Sequence, residues 1–395
     1  MVSSVVLLVL AVASVWERAA AEKKLVFVTV LFRHGDRSPV KAYPTDPYQE
    51  SAWPQGFGQL SQEGMRQHFE LGQYLRSRYQ NFLNESYDRH EILVRSTDYD
   101  RTLMSAEANL AGLYPPSGEQ VFRPELKWQP IPVHTVPQSQ ERLLSFPLGD
   151  CPRYKQLMEE TERTKEFINI TSTFQLVRNK TGLEQTTVET VWSVYDTLFC
   201  EARHNKSAPA WVTPDVMEKL RILKDFGFQV SFGFYKQQEK SRLQGGANPR
   251  YSQHDTTVAA LQASLNVFNG KQPPYASCHF FELYRNDDGS TSVSMFYRND
   301  SSVKPYPLQL SNCSLDCPLE DFVSITSHFI SKNRDEECQL PSAEIDREVI
   351  ISLAVASCLL LVLIAILLTV ICRQSEPLRN RGYHHVRNQE AGEAS

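Results

Sequence analysis

Residues 25–32 read LVFVTVLF, and the run breaks off at Arg33-His34-Gly35-Asp36-Arg37-Ser38-Pro39. An almost unbroken apolar and β-branched run of this length is the pattern of a strand buried on both faces, as in a parallel or mixed sheet. Open α/β sheets bind ligands just outside the carboxyl ends of their strands. The charged heptapeptide therefore stands where chemistry is expected.

Working outward, a loop rich in Pro and Trp leads to Ser61, which opens an amphipathic helix carrying Met65, Phe69, Gly72, Leu75, Tyr79 and Phe82 at three- and four-residue steps. Residues 91–94 predict a second short strand, residues 95–98 a turn, and a helix begins near Arg101 and ends before Pro115-Pro116. Strand, helix, strand, helix argues for α/β architecture. Residues 140–235 are polar, helical in period and poor in strand signals, and read as an inserted helical cap. Residues 278–284 and 292–298 flank an Asn-Asp-Asp-Gly turn at 286–289, which predicts a hairpin and hence a mixed sheet.

The chain has 395 residues, 41% apolar and 22% charged, so collagen-like and low-complexity classes are excluded. The net charge of −5 offers no basic excess to neutralise a nucleic-acid backbone, and no nucleic-acid partner is expected. Two apolar blocks set the compartment. Residues 2–15, followed by Ala19-Ala20-Ala21, read as a secretory signal spanning residues 1–21. Residues 349–372 carry no charge and are long enough to cross a bilayer, which takes about 20 residues. Arg373, Arg379, Arg381 and Arg387 follow, placing a tail of residues 373–395 in the cytosol and residues 22–348 in the lumen.

Six of the eight cysteines (Cys151, Cys200, Cys278, Cys313, Cys317 and Cys338) fall in the lumenal part, an even number in an oxidising compartment. Spacing leaves their pairing open, although Cys313 and Cys317 are close enough for a local loop. Asn-X-Ser/Thr acceptors occur at Asn84, Asn169, Asn179, Asn205, Asn299 and Asn312, all on the lumenal side.

His34 lies between Arg33 and Arg37. Guanidiniums beside an imidazole disfavour its charged form, and an uncharged imidazole is a competent nucleophile in acid. Two fixed forks suit a tetrahedral oxyanion. Arg101, at the start of a helix, adds a cation where backbone N–H groups also favour an anion. His254-Asp255 offers one more phosphate donor and a carboxyl group for acid catalysis.

The loop from Arg33 to Pro39, Arg101 within RSTDYDRTLMSAEANLAGL (95–113) and His254-Asp255 resemble the histidine acid phosphatases. The likeness continues through WPQGFGQL (53–60), WQPIPVHTVP (128–137) and PYASCHFFELY (274–284), so it covers nearly the whole lumenal chain. It implies a three-layer, mixed-sheet α/β core with a helical cap, ahead of one C-terminal transmembrane helix. It implies an acid phosphatase acting on orthophosphoric monoesters without cofactor or metal. His34 would be the nucleophile, Asp255 the proton donor, and Arg33, Arg37, Arg101 and His254 the phosphate ligands. The same resemblance implies disulfides Cys151–Cys338, Cys200–Cys278 and Cys313–Cys317, and a homodimer. Tyr383 and Val386, in Gly382-Tyr383-His384-His385-Val386, match a sorting pattern read by clathrin adaptors and point to a lysosome-directed, membrane-anchored member.

The chain departs from the family before Tyr251. Between Leu243-Gln244-Gly245-Gly246 and Tyr251 it has only Ala247-Asn248-Pro249-Arg250, where relatives carry a helix and the apolar strand that delivers the His-Asp pair. Two alternatives follow: an inactive or weakly active membrane glycoprotein, and an inositol-phosphate phosphatase of the same fold.

Overall fold

The structure is a computed structural model that describes residues 23–141, 143–144, 151–170, 174–245, 254–340 and 347–379. The signal at 1–21, the shortened segment at 247–250, the side chain of Asn169 and the sorting pair Tyr383 and Val386 lie outside what is described. The chain divides into two compact units, residues 1–339 and 340–395.

In the first unit, β1 (Lys24–Phe32) pairs antiparallel with β4 (Cys278–Arg285), and β4 pairs with β5 (Thr291–Arg298) through the expected hairpin. β6 (Tyr306–Leu308) and β7 (Asp316–Pro318) both pair antiparallel with β5. The parallel component is a separate pair, β2 (Val94–Arg95) with β3 (Val133–His134). The sheets are thus mixed between them, while the five-stranded sheet is itself antiparallel.

Side-chain alternation along β1 and β4 sends neighbours to opposite faces and builds three layers. On one face, Phe32, Cys278 and Phe280 pack with Leu71 and Leu75 of α1 (Gln62–Arg78) and with Leu110 and Leu113 of α2 (Asp100–Leu113). On the other, Leu31, Val293 and Met295 meet Val258 and Leu261 of α9 (Asp255–Ser264), with Phe322 and Ile325 of α10 (Leu319–Ser327) at the margin. The cap contributes α3 (Pro152–Glu162), α4 (Lys165–Ile170), α5 (Phe174–Thr181), α6 (Val188–Arg203), α7 (Pro214–Phe228) and α8 (Gln237–Gly245). Helices therefore continue past residue 235, through α9.

Two expectations change. The reading of residues 25–32 as a strand buried on both faces fails, because β1 is an edge strand and Phe27 is 52% exposed. Nothing described pairs with its outer side. A cavity of about 380 Å³ runs along that edge, lined by Phe27, Val28 and Val30, by Leu75 of α1 and its C-cap residue Tyr79, and by Val94 of β2. In α1, Ser61 caps the helix as expected, its hydroxyl accepting from the Gly64 N–H. The buried face, however, passes through Gly64, His68, Leu71, Gly72 and Leu75, leaving Met65 and Phe69 exposed. Close backbone approach decides this: a Cβ on Gly72 would lie 2.0 Å from the Asn109 carbonyl oxygen, and one on Gly112 would lie 2.1 Å from that of Phe69.

Disulfides join Cys151 to Cys338 and Cys313 to Cys317. The implied Cys200–Cys278 pair is not formed. Cys200 turns its sulfur toward Arg37 and the Tyr275 hydroxyl, 3.6 Å from each, while Cys278 is packed among Phe32, Phe280 and the α1–α2 side chains. Asn84, Asn179, Asn205 and Asn312 are exposed and Asn299 is half-buried. The first unit closes with the short helix α11 (Arg334–Glu337), and the second is dominated by α12 (Arg347–Arg379), in which residues 350–374 are long and apolar enough to cross a membrane.

Helix α6 grips the loop that follows β1. Thr197 donates to the Lys41 carbonyl at 2.8 Å. One turn further on, Glu201 is buried beside Asp46, close to Tyr43 and Lys206. Burial, with the neighbouring Asp46 carboxyl, pushes Glu201 from its usual 4.5 up to about 8. A carboxyl raised by folding stabilises the fold fully below its unfolded pKa, and the contribution is lost as pH rises through the folded value.

Two outcomes are expected. The thermal midpoint of the full chain falls as pH is raised from about 4.5 to about 8, and Glu201→Gln flattens that fall; an unchanged slope in the variant would refute the assignment. Gly72→Ala, by forcing α1 off α2, lowers stability by about 1–3 kcal/mol in denaturant titrations, whereas a neutral result would mean the helices do not touch there.

Candidate active site

The β1–β4 ladder does not stop at Phe32. The Arg33 N–H donates to the Ser277 carbonyl at 2.9 Å, and the Ala276 N–H donates to the His34 carbonyl at 3.1 Å. These bonds carry the charged loop into the molecule, where Arg33, His34 and Arg37 are each only 3% exposed. Gly35 permits this: a Cβ there would sit 2.3 Å from the Gly64 carbonyl oxygen, so the loop runs backbone to backbone over the first turn of α1. Asp36 fastens it, accepting from Ser61 Oγ at 2.6 Å, Arg203 Nε at 2.6 Å and His204 Nε2 at 2.9 Å.

His34 Nδ1 lies 2.8 Å from the Gly35 carbonyl oxygen. A carbonyl only accepts, so Nδ1 carries the hydrogen and Nε2 keeps its lone pair. Burial, and then Arg33, Arg101, Arg37 and His254, hold the imidazole well below its ordinary pKa. The uncharged form is favoured, as the flanking arginines led one to expect, although burial is the larger cause.

The remaining sequence candidates converge on it. His254, the N-cap residue of α9, places its ring 5.9 Å from that of His34 and bonds Thr97 Oγ1 at 3.0 Å. Burial and Arg101 depress it to about 3. Asp255, the next residue, is 8% exposed and receives Arg33 Nη2 at 3.0 Å and Gln272 Nε2 at 2.6 Å. Burial raises this carboxyl, but Arg33 with the Gln272 hydrogen bond prevails and its pKa is lowered. Arg101 stands over the Tyr99 ring at 4.7 Å with Nη1 3.5 Å from the Gly58 carbonyl oxygen. Burial and the nearby Arg37 bring it down to about 10.

Three guanidiniums thus surround one imidazole, and each has a buried Nε–H with no acceptor among the described residues: Arg33, Arg37 and Arg101. Buried donors are costly unless bonded. Orphaned cationic donors converging on one spot are what a tetrahedral oxyanion satisfies. All six sequence candidates, His34, Asp255, Arg33, Arg37, Arg101 and His254, therefore meet in one site.

Sequence reasoning missed the groups that hold them. Tyr275 lies under the Arg33 guanidinium at 4.2 Å and beside His34 at 5.8 Å; it sits inside the PYASC stretch but nothing marked its role. Asp196, bonded to both Nη atoms of Arg37, and Gln272, bonded to Asp255, carry no local signal, because each is brought in from far along the chain. Beside this site, Arg33, Tyr195, Phe199, Arg203, Lys224 and Tyr275 line a cavity of about 240 Å³.

The chain is similar to several known proteins. The human protein named lysosomal acid phosphatase is 55% identical over 393 residues, covering 93% of this chain and 92% of its own. Human prostatic acid phosphatase is 48% identical over 347 residues, covering 82% of this chain and 90% of its own. In both cases the aligned length exceeds the part of this chain it covers, so each relative carries residues without a counterpart here. Among solved structures, the apo phytase of Hafnia alvei matches with a TM-score of 0.58 at 17% identity, over 81% of this chain and 99% of that one, a likeness of fold. The family description "Histidine phosphatase superfamily (branch 2)" matches residues 24–251, and the chain belongs to that superfamily.

Proposed function

We propose that the protein is an acid phosphatase hydrolysing phosphoric monoesters through a phosphohistidine on His34. One observation carries the reading: Arg33, Arg37 and Arg101, each with a buried Nε–H that finds no acceptor among the described residues, crowd an imidazole whose tautomer leaves Nε2 bare. Family membership and the 55% identity to a lysosomal acid phosphatase support it.

The chemistry follows from the side chains. Nε2 of His34 attacks phosphorus in line with the departing alkoxide, while Arg33, Arg37, Arg101 and His254 hold the equatorial oxygens. Fixed cations in a dry site stabilise charge as it builds, without waiting for solvent to reorganise. Asp255 delivers a proton to the leaving oxygen. In the empty site Arg33 and Gln272 keep Asp255 ionised. A substrate dianion that takes over the Arg33 fork removes that stabilisation and adds a negative neighbour, so the carboxyl pKa rises in the complex. Donation then requires acid, and the alkaline limb of activity reports Asp255. Water afterwards cleaves the P–N bond and releases inorganic phosphate.

The apolar residues 350–374 would anchor the enzyme as a type I protein of the lysosomal membrane, with residues 22–348 lumenal and glycosylated on the acceptor asparagines. Tyr383 and Val386 would engage clathrin adaptors from the cytosolic tail, and the enzyme would work as a homodimer. A second reading, a weakly active membrane glycoprotein, draws on the open edge of β1 and on the relatives' extra residues.

Incubating the full chain with ³²P-labelled p-nitrophenyl phosphate at about pH 5 and quenching in alkali, where phosphohistidine survives, should trap label on the parent and none on His34→Ala. Asp255→Asn should keep the label while losing about 10²–10⁴-fold in turnover of poor leaving groups. Label on His34→Ala would overturn the mechanism, and a parent that takes up none would leave the glycoprotein reading.

A further inference from the structure

The cap helix α6 reaches the anion site at one point. Asp196 Oδ2 accepts from Arg37 Nη1 at 2.9 Å and Oδ1 from Nη2 at 3.1 Å, with both side chains about 5% exposed or less. Nη1 also donates to the Ser38 carbonyl at 3.1 Å and stands 3.6 Å from Cys200 Sγ. The tip of the fork is therefore fully engaged by protein. What remains is its side edge, the Nε–H and the Nη2 hydrogen next to it, and Nε is buried with no acceptor.

We propose that Asp196 is a positioning residue for catalysis: by clamping the tip of the Arg37 guanidinium, it aims the free side edge at the phosphoryl group on His34. The inference rests on the acid phosphatase reading and deepens it by giving the cap a role in the reaction.

A planar guanidinium has two bidentate edges, and an arginine at a phosphate site can offer either. Flexible rotation about the side-chain torsions would let it offer neither well. A bidentate carboxylate on the tip fixes the plane and the rotation together, so the side edge needs no reordering when substrate arrives. Asp196 also offsets repulsion. Arg33 and Arg37 both lie against the Tyr275 ring, at 4.2 and 6.0 Å, and Arg33 has its own carboxylate in Asp255. Asp196 does for Arg37 what Asp255 does for Arg33, with one difference: Asp255 must let go to act as an acid, whereas Asp196 lies behind the fork and stays. An asparagine there keeps one acceptor but turns an NH₂ group on the second Nη, which tilts the fork.

The test uses the full chain in detergent, with p-nitrophenyl phosphate turnover at about pH 5 and inorganic phosphate binding by calorimetry. Asp196→Asn should lose about 10²-fold in kcat with a smaller change in KM, and should bind phosphate more weakly, at a thermal midpoint showing a folded protein. Asp196→Glu should recover part of the loss. The sharper arm is rescue: added guanidinium should restore activity to Arg37→Ala, because Asp196 seats it, and should not restore it to Arg37→Ala/Asp196→Ala. If Asp196→Asn does not fold, the rescue pair, repeated with the space-filling Arg37→Met and Arg37→Met/Asp196→Leu as folding controls, decides. Parent-like kcat and phosphate affinity in a folded Asp196→Asn, or equal rescue with and without Asp196, would overturn the proposal and leave the phosphatase reading standing. A parent that neither binds phosphate nor turns over would sink that reading and this one with it.

Discussion

The structure depends on keeping three guanidiniums together around an imidazole that stays uncharged. Like charges packed in a water-poor site repel strongly, and each would be destabilising alone. The protein answers with a carboxylate paired to each of two forks, Asp255 on Arg33 and Asp196 on Arg37, both buried. Among the described residues Arg101 has no salt bridge, and burial with the nearby Arg37 lowers its pKa to about 10. The cluster thus retains a positive excess directed at one point, which is the condition for drawing in a phosphate without collapsing onto itself.

Holding that cluster requires backbone contact more than side-chain packing. The loop crosses α1 where Gly35 faces Gly64, a contact that no side chain on either residue would permit. From the other side, α6 fastens it through Asp196, Thr197, Arg203 and the C-cap residue His204. Core and cap are therefore not separate modules, since the catalytic loop is the seam between them. A buried carboxyl pair on the same seam, Glu201 and Asp46, favours low pH. The helix that clamps Arg37 thereby also carries a carboxyl that favours acid.

Among the described residues the outer edge of β1 is open. Edge strands with an apolar flank leave unpaired N–H and C=O groups beside a dry wall, and the cavity along Phe27, Val28 and Val30 is that wall. His254 and Asp255 reach the site at the N-terminus of α9. The chemistry is assembled; the sheet beside it is incomplete.

Local chemistry by itself determined the strand at residues 25–32, the Ser61 cap, the 278–298 hairpin and the apolar helix near the C-terminus, because period and capping act over a few neighbours; the six residues that meet in the site were singled out by charge placement together with the family likeness. Tertiary structure alone decided the rest. Whether β1 is central or an edge depends on what pairs beside it, and the face α1 buries was set by Gly72 and Gly112 meeting across two helices rather than by the apolar steps at Met65 and Phe69. Cys200 and Cys278 had a family precedent for pairing, yet their sulfurs face different clusters, and only packing orients a sulfur. Asp196 and Gln272 were invisible for the same reason: a counter-ion works through space, and sequence distance carries no information about that.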